Sequence, residues 1–113
     1  MVKLQERRKY ARLRREERVI LRKLNDDDPP DAELYCSTVD ISPSGLQVRL
    51  RKALLPGEPV DVVLQIEGYV NPFHLTGETK WCVPLRGENT YLAGVEIRAT
   101  QNRDFTFWRR VFN

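Results

Sequence analysis

The sharpest pattern lies mid-chain, where Leu46, Val48 and Leu50 alternate with Gln47, Arg49 and Arg51. A period of two is the signature of a strand with one buried face. The turn formers Ser42-Pro43-Ser44-Gly45 precede this strand and close another that runs from Leu34 to Ile41. A second turn at Leu55-Pro56-Gly57-Glu58-Pro59 leads into a strand over Val60 to Ile66, which Gly68 and then Asn71-Pro72 interrupt. Strands over Phe73 to Cys82 and Tyr91 to Ile97 follow, with a loop from Pro84 to Asn89 between them. Near the N-terminus the apolar positions are sparse until Val19, Ile20 and Leu21. Residues 1–14 are therefore expected to form a mobile or ligand-ordered arm, and the first strand to begin at about residue 17. Residues 25–33, with three consecutive aspartates and two prolines, read as a loop. The period changes only at the end, where Phe105, Trp108, Val111 and Phe112 share one face of a short helix that Asn102 can cap. Six short strands at regular spacing and one closing helix predict a mainly β fold, an antiparallel barrel or sandwich. The helix is expected to plug an open end of the barrel, with a partner-binding aromatic face as the alternative.

A length of 113 residues suits one domain, divided here into a basic arm over 1–16 and a barrel with its helix over 17–113. No apolar run approaches the roughly 20 residues of a membrane span, and no apolar stretch follows the charged N-terminus as in a signal peptide. The expectation is a cytoplasmic protein without membrane insertion. Cys36 and Cys82 are too few for a disulfide framework and lack metal-ligand spacing, so both read as buried, reduced thiols. Charge changes the picture more. Residues 1–24 hold ten basic residues against three acidic ones, a net of +7, whereas residues 25–113 hold nine against thirteen, a net of −4. A basic arm on an acidic body calls for an anionic partner at the arm. Seven of the ten basic residues in the arm are arginines, whose planar fork suits phosphate and base edges.

Two spaced motifs carry the candidate chemistry: Arg8 and Arg12 as Arg-x-x-x-Arg, then Asp40, Ser42 and Gly45 as Asp-x-Ser-x-x-Gly at the end of a strand. With Glu6-Arg7-Arg8, six strands, the late strand Gly94-Val95-Glu96-Ile97 and a C-terminal helix, the sequence resembles the PilZ domain family, bacterial receptor modules for cyclic di-GMP. The resemblance implies a six-stranded antiparallel Greek-key (split) β-barrel. It implies cyclic di-GMP as ligand, with Arg8, Arg12, Asp40, Ser42 and Gly45 at the ligand-binding positions. Arg7 is a further candidate, because a basic residue there accompanies binding of a stacked ligand dimer in the family. The physics agrees. An arginine fork pairs with guanine O6 and N7 or grips a phosphate. Asp40 and Ser42, two apart on a strand, share a face where Asp40 can accept from a guanine N–H. Gly45 is expected to let the backbone turn and the ligand approach. Pro43 in the second motif and the charged residues after Arg12 depart from the family's usual pattern.

Taken alone, Asp40 to Gly45 would be an ordinary turn, and it is the pairing with the arginines that favours a ligand site. Trp81 reads as a core residue rather than a stacking platform, and Tyr10 as either a ligand contact or an anchor for the arm. His74, the single histidine, has no catalytic companion beside Ser42: no nucleophile elbow, phosphate loop or metal cluster accompanies them. The expected protein is a receptor rather than an enzyme, with no metal and no cofactor, whose arm orders on binding the dinucleotide and is then read by an unidentified downstream protein. Motility, biofilm or exopolysaccharide control would be its output by family resemblance, with the chain a monomer or weak dimer. The competing readings are a PilZ-like adaptor that binds protein alone and a small nucleic-acid-binding barrel. The acidic body argues against a long nucleic acid, whose binding would also weaken steeply with salt.

Overall fold

A computed structural model describes residues 16–24, 33–86 and 89–112. The strands are β1 (Arg18–Lys23), β2 (Glu33–Ser42), β3 (Gly45–Leu50), β4 (Pro59–Gln65), β5 (Phe73–Pro84) and β6 (Tyr91–Ile97), followed by the helix α1 (Arg103–Arg110). The expected arm, with Arg7, Arg8 and Arg12, lies outside the described residues, as does most of the acidic loop before β2.

All strand pairings are antiparallel, and the sheet closes as β1-β2-β3-β6-β5-β4. Two meanders, β1-β2-β3 and β4-β5-β6, are joined through β3 to β6 and β1 to β4, so no strand edge is left open. The alternation in the sequence sets the inward face. Val19 and Leu21, then Leu46, Val48 and Leu50, then Val60, Val62 and Leu64 are buried at every second position. The tight turn between β2 and β3 consists of Pro43 and Ser44, and neither takes a positive φ. This is a turn of the ordinary hand, for which proline is well suited at the first central position. The left-handed conformation occurs instead at Gly57 and Gly68, with φ of 88° and 96°, in the two turns that bracket β4.

The helix starts where the sequence places it. Asn102 Oδ1 accepts from the Phe105 N–H at 2.8 Å, satisfying one of the orphan donors of the first turn. Its inner face plugs the barrel end formed by the β2–β3 turn and the start of β5. Trp108 is fully buried and stacks edge-on between Phe73 and Phe112. Asp104 accepts from the His74 backbone N–H at 2.7 Å and fastens the helix to β5. Both cysteines are free, but they are half-buried rather than buried. Cys36 donates to the Leu34 carbonyl, and burial pushes its thiol up to about 12.

Candidate functional site

Two irregularities in the barrel create the site. Along β2, Thr38 pairs with Val48 but Asp40, not Val39, pairs with Gln47, so β2 carries one extra residue there. Before this bulge the inward positions are even-numbered, ending at Thr38; after it Ile41 takes the core. The bulge thereby turns Asp40 and Ser42 to the outer face. Strand β5 does the same at Lys80: Thr79 pairs with Val95 and Trp81 with Gly94. Thr79 is the last fully buried residue, and Trp81 emerges on the outside, 37% exposed.

The bulges align. Asp40 pairs with Gln47, Gln47 with Gly94 and Gly94 with Trp81, giving one row across four strands. At about 4.8 Å per strand the row is about 14 Å from end to end. A second outward row runs Ser42, Gly45, Glu96 and Glu78. Each row has a glycine at its centre, and the two glycines floor a cleft of about 220 Å³ lined by the whole first row and by Ser42, Gly45 and Glu96 of the second. A side chain at Gly45 would meet backbone, and one at Gly94 would displace the Trp81 indole. A Cβ at Gly45 would stand 2.7 Å from the Val95 carbonyl oxygen, and one at Gly94 2.3 Å from Trp81 Nε1. Gly45 takes no positive φ, and its missing Cβ permits the close approach of β3 to the β6 backbone.

The wall groups are mostly acceptors and hydroxyls. Asp40 is 9% exposed despite facing outward. Ser42 Oγ lies 3.3 Å from the Gly45 carbonyl oxygen, to which it donates, and 3.4 Å from Ser44 Oγ. Lys80 bridges Glu78 at 2.9 Å and Glu96 at 3.5 Å, and Arg98 also pairs with Glu78. The Lys80 hydrogen bond, helped by Arg98, holds the Glu78 carboxyl below the usual carboxylate range, and the same pairing raises the Lys80 ammonium. Among the described residues the one lysine lining the cleft is engaged by Glu78 and Glu96.

Two supports fix the cleft from outside. The buried Trp108 Nε1–H donates to the Pro43 carbonyl at 2.9 Å, and the Ile97 N–H donates to the Ser44 carbonyl at 2.8 Å, so helix and β6 both hold the β2–β3 turn. On the other flank, the Glu17 and Thr38 backbones are joined at 2.9 Å, and the Glu17 N–H donates to Thr38 Oγ1 at 2.8 Å. The Glu17 carboxylate accepts from the Glu67 N–H at 3.2 Å. Glu17 is thus anchored to Thr38, two positions from Asp40.

Asp40, Ser42 and Gly45 come together in one cleft, as the motif spacing predicts; Arg7, Arg8 and Arg12 fall outside the described residues. Trp81 corrects the sequence reading: it is a cleft wall, not core. Gln47, Gly94 and Lys80 were not singled out as site residues. The signal for Trp81 and Asp40 was an odd spacing in the buried series, Thr38 to Ile41 and Thr79 to Cys82, which marks a bulge.

The sequence matches the PilZ domain family over residues 6–110. The chain belongs to that family. The barrel carries the same message at the level of fold. It aligns with the Bacillus subtilis inhibitor of motility MotI/DgrA at a TM-score of 0.70 and 15% identity, covering 93% of this chain and 49% of that one. It aligns with the PilZ domain of Escherichia coli YcgR with c-di-GMP at 0.67 and 18% identity, covering 93% of this chain and 88% of that domain. YcgR in complex with c-di-GMP aligns at 0.64 and 18% identity over 93% of this chain and 44% of that one. This PilZ chain thus spans about half the length of MotI/DgrA and of the longer YcgR structure. No curated protein sequence matches it. Among the described residues no helix is long and apolar enough to cross a membrane, and no cluster of side chains suits a metal ion.

Proposed function

We propose that this PilZ domain is a cyclic di-GMP receptor in which the barrel supplies the base-reading half of the site and the arm supplies the cations. Membership of the family supports the ligand, as does the fold shared with YcgR, solved with c-di-GMP. The observation that carries the reading is the aligned row of Asp40, Gln47, Gly94 and Trp81 beside Ser42 and Gly45. Asp40 accepts from guanine N–H groups, Gln47 and Ser42 donate or accept, and Trp81 offers an indole edge beside a glycine floor on which a purine can lie. The cleft itself cannot hold two phosphates, because its lysine is committed to Glu78 and Glu96. Those charges fall to Arg8 and Arg12, with Arg7 beside them. Arg12 is five residues from the anchored Glu17, a reach of up to about 17 Å in extended chain, which covers the length of the row.

On this reading the protein is a receptor and not an enzyme, works in the cytoplasm, and needs no metal or cofactor. Binding orders the arm over the cleft, and a partner protein reads the new surface; control of motility, biofilm or exopolysaccharide is the expected output. Calorimetry tests the assignment: cyclic di-GMP binds near micromolar at about 150 mM salt, near physiological strength. GMP, with one base and one phosphate, gives no heat, and Arg8→Ala and Arg12→Ala each lower the affinity at least about a hundredfold. Absence of binding by the unaltered protein, or full binding by both variants, overturns it.

A further inference from the structure

A second concave surface lies away from the cleft, between the outer face of α1 and the loop joining β4 to β5. It is a groove of about 520 Å³ whose floor holds Tyr69, Phe73 and Phe107. Val70 at its lip is 94% exposed, and Tyr69 and Phe107 are each nearly half exposed. Isolated apolar side chains at a surface are ordinary, but three gathered around one groove are not. The groove is also pre-shaped. Gln65 Nε2 donates to the Tyr69 carbonyl at 2.8 Å, the Tyr69 ring packs edge-on against Phe73 at 5.4 Å, and Asp104 is fastened to β5. A rigid groove has little ordering left to do on binding.

Its charge selects the occupant. On the barrel, Arg22, Lys23, Lys80 and Arg98 each face a glutamate, whereas Arg18, Arg49, Arg51 and Lys52 pair with no carboxylate among the described residues. In the groove, Arg103 and Arg110 have no carboxylate partner among the described residues, and Arg110 lies over the Phe107 ring at 5.6 Å. The one carboxylate there, Asp104, is already accepting from the His74 N–H. The rim is therefore cationic above an apolar floor. We propose that this groove docks a segment of a partner protein that presents an apolar anchor flanked by carboxylates. The anchor would sit on Phe73 and Phe107, and the carboxylates would meet the forked donors of Arg103 and Arg110. The proposal rests on the receptor reading for the partner's role: the ordered arm is the contact that depends on the dinucleotide, and this preformed groove is a constant second contact with the same partner.

The test uses the full chain and a short fluorescein-labelled peptide with Leu-Phe flanked by glutamates, followed by anisotropy. A peptide with lysines in place of the glutamates is the control. The acidic peptide is expected to bind, the lysine peptide to bind at least about tenfold more weakly, and Arg110→Glu and Val70→Glu each to weaken the acidic peptide by at least about tenfold. Val70 is so exposed that its variant tests the surface without challenging the fold. Equal binding of the two peptides, no binding of the acidic one, or indifference to both variants overturns the proposal. Self-association of the chain that Arg110→Glu abolishes would overturn it in favour of a second copy as occupant. Calorimetry with cyclic di-GMP on the same samples keeps the two readings apart. Peptide binding without dinucleotide binding sinks the receptor assignment alone, and the reverse result sinks the docking surface alone.

Discussion

Single residues set the shape of the cleft more than its charge does. Gly94 is the tightest position: even one methyl would collide with the Trp81 indole. Gly94→Ala is therefore expected to push Trp81 off the row, red-shifting its fluorescence and weakening cyclic di-GMP by at least about tenfold, while Trp108 stays buried. Thr79 gives the opposite kind of prediction. Its hydroxyl is fully buried and has no hydrogen-bond partner among the described residues, although its backbone is bonded to Gly57 and Glu58. Thr79→Val keeps the shape and removes an unpaired polar atom, so stability should rise by about 1 kcal/mol in urea unfolding. At this scale the sequence was half legible. That Asp40, Ser42 and Gly45 share one cleft was readable from the motif and its resemblance to the PilZ pattern, since turn formers alone would have meant an ordinary turn. Trp81 was not, because a tryptophan in a strand of alternating Phe73, Leu75, Gly77 and Thr79 takes the inner parity unless an extra residue intervenes.

At the scale of elements, the helix is coupled to the motif it never touches in sequence. Trp108 reaches across the barrel end to the Pro43 carbonyl, in the middle of the Asp40 to Gly45 segment. Trp108→Phe preserves an aromatic ring between Phe73 and Phe112 but deletes that bond and leaves a buried carbonyl unsatisfied. The expected cost is about 2 kcal/mol, with a loss of dinucleotide affinity that Phe107→Ala, on the exposed side of the same helix, does not share; unfolding curves and calorimetry on both variants check this. The existence of the six strands and the helix was legible from period and turn residues alone, and the capping role of Asn102 was readable from its place before the aromatic series. The contact from Trp108 to Pro43 was not, since nothing local in either segment encodes a hydrogen bond spanning 65 positions.

For the whole molecule, the titrating groups fix a window of pH. Glu78, held low chiefly by the Lys80 hydrogen bond, stabilises the fold fully above the ordinary glutamate value of about 4.3 and ceases to do so as pH falls through its depressed folded value. Cys36 acts on the other side. Its folded thiol, pushed up to about 12 by burial, stays neutral while an unfolded thiol ionises above about 8.5, so stability declines as pH rises beyond that point. A melting-temperature profile should be flat between these limits, with Glu78→Gln flattening the acid limb and Cys36→Ala the alkaline one. Counting strands left a barrel or a sandwich and the family resemblance chose the barrel, but neither gave its two changes of parity, and these have a consequence for anyone who would move this site elsewhere. Asp40 and Trp81 face outward because β2 and β5 are each one residue longer than their partners at the same level. Grafting Asp40, Ser42, Gln47 and Trp81 with their two glycines onto another barrel of regular strands would send part of the set into the new interior. What has to be transplanted is a pair of insertions, and an alignment drawn without gaps would lose the site while keeping every residue.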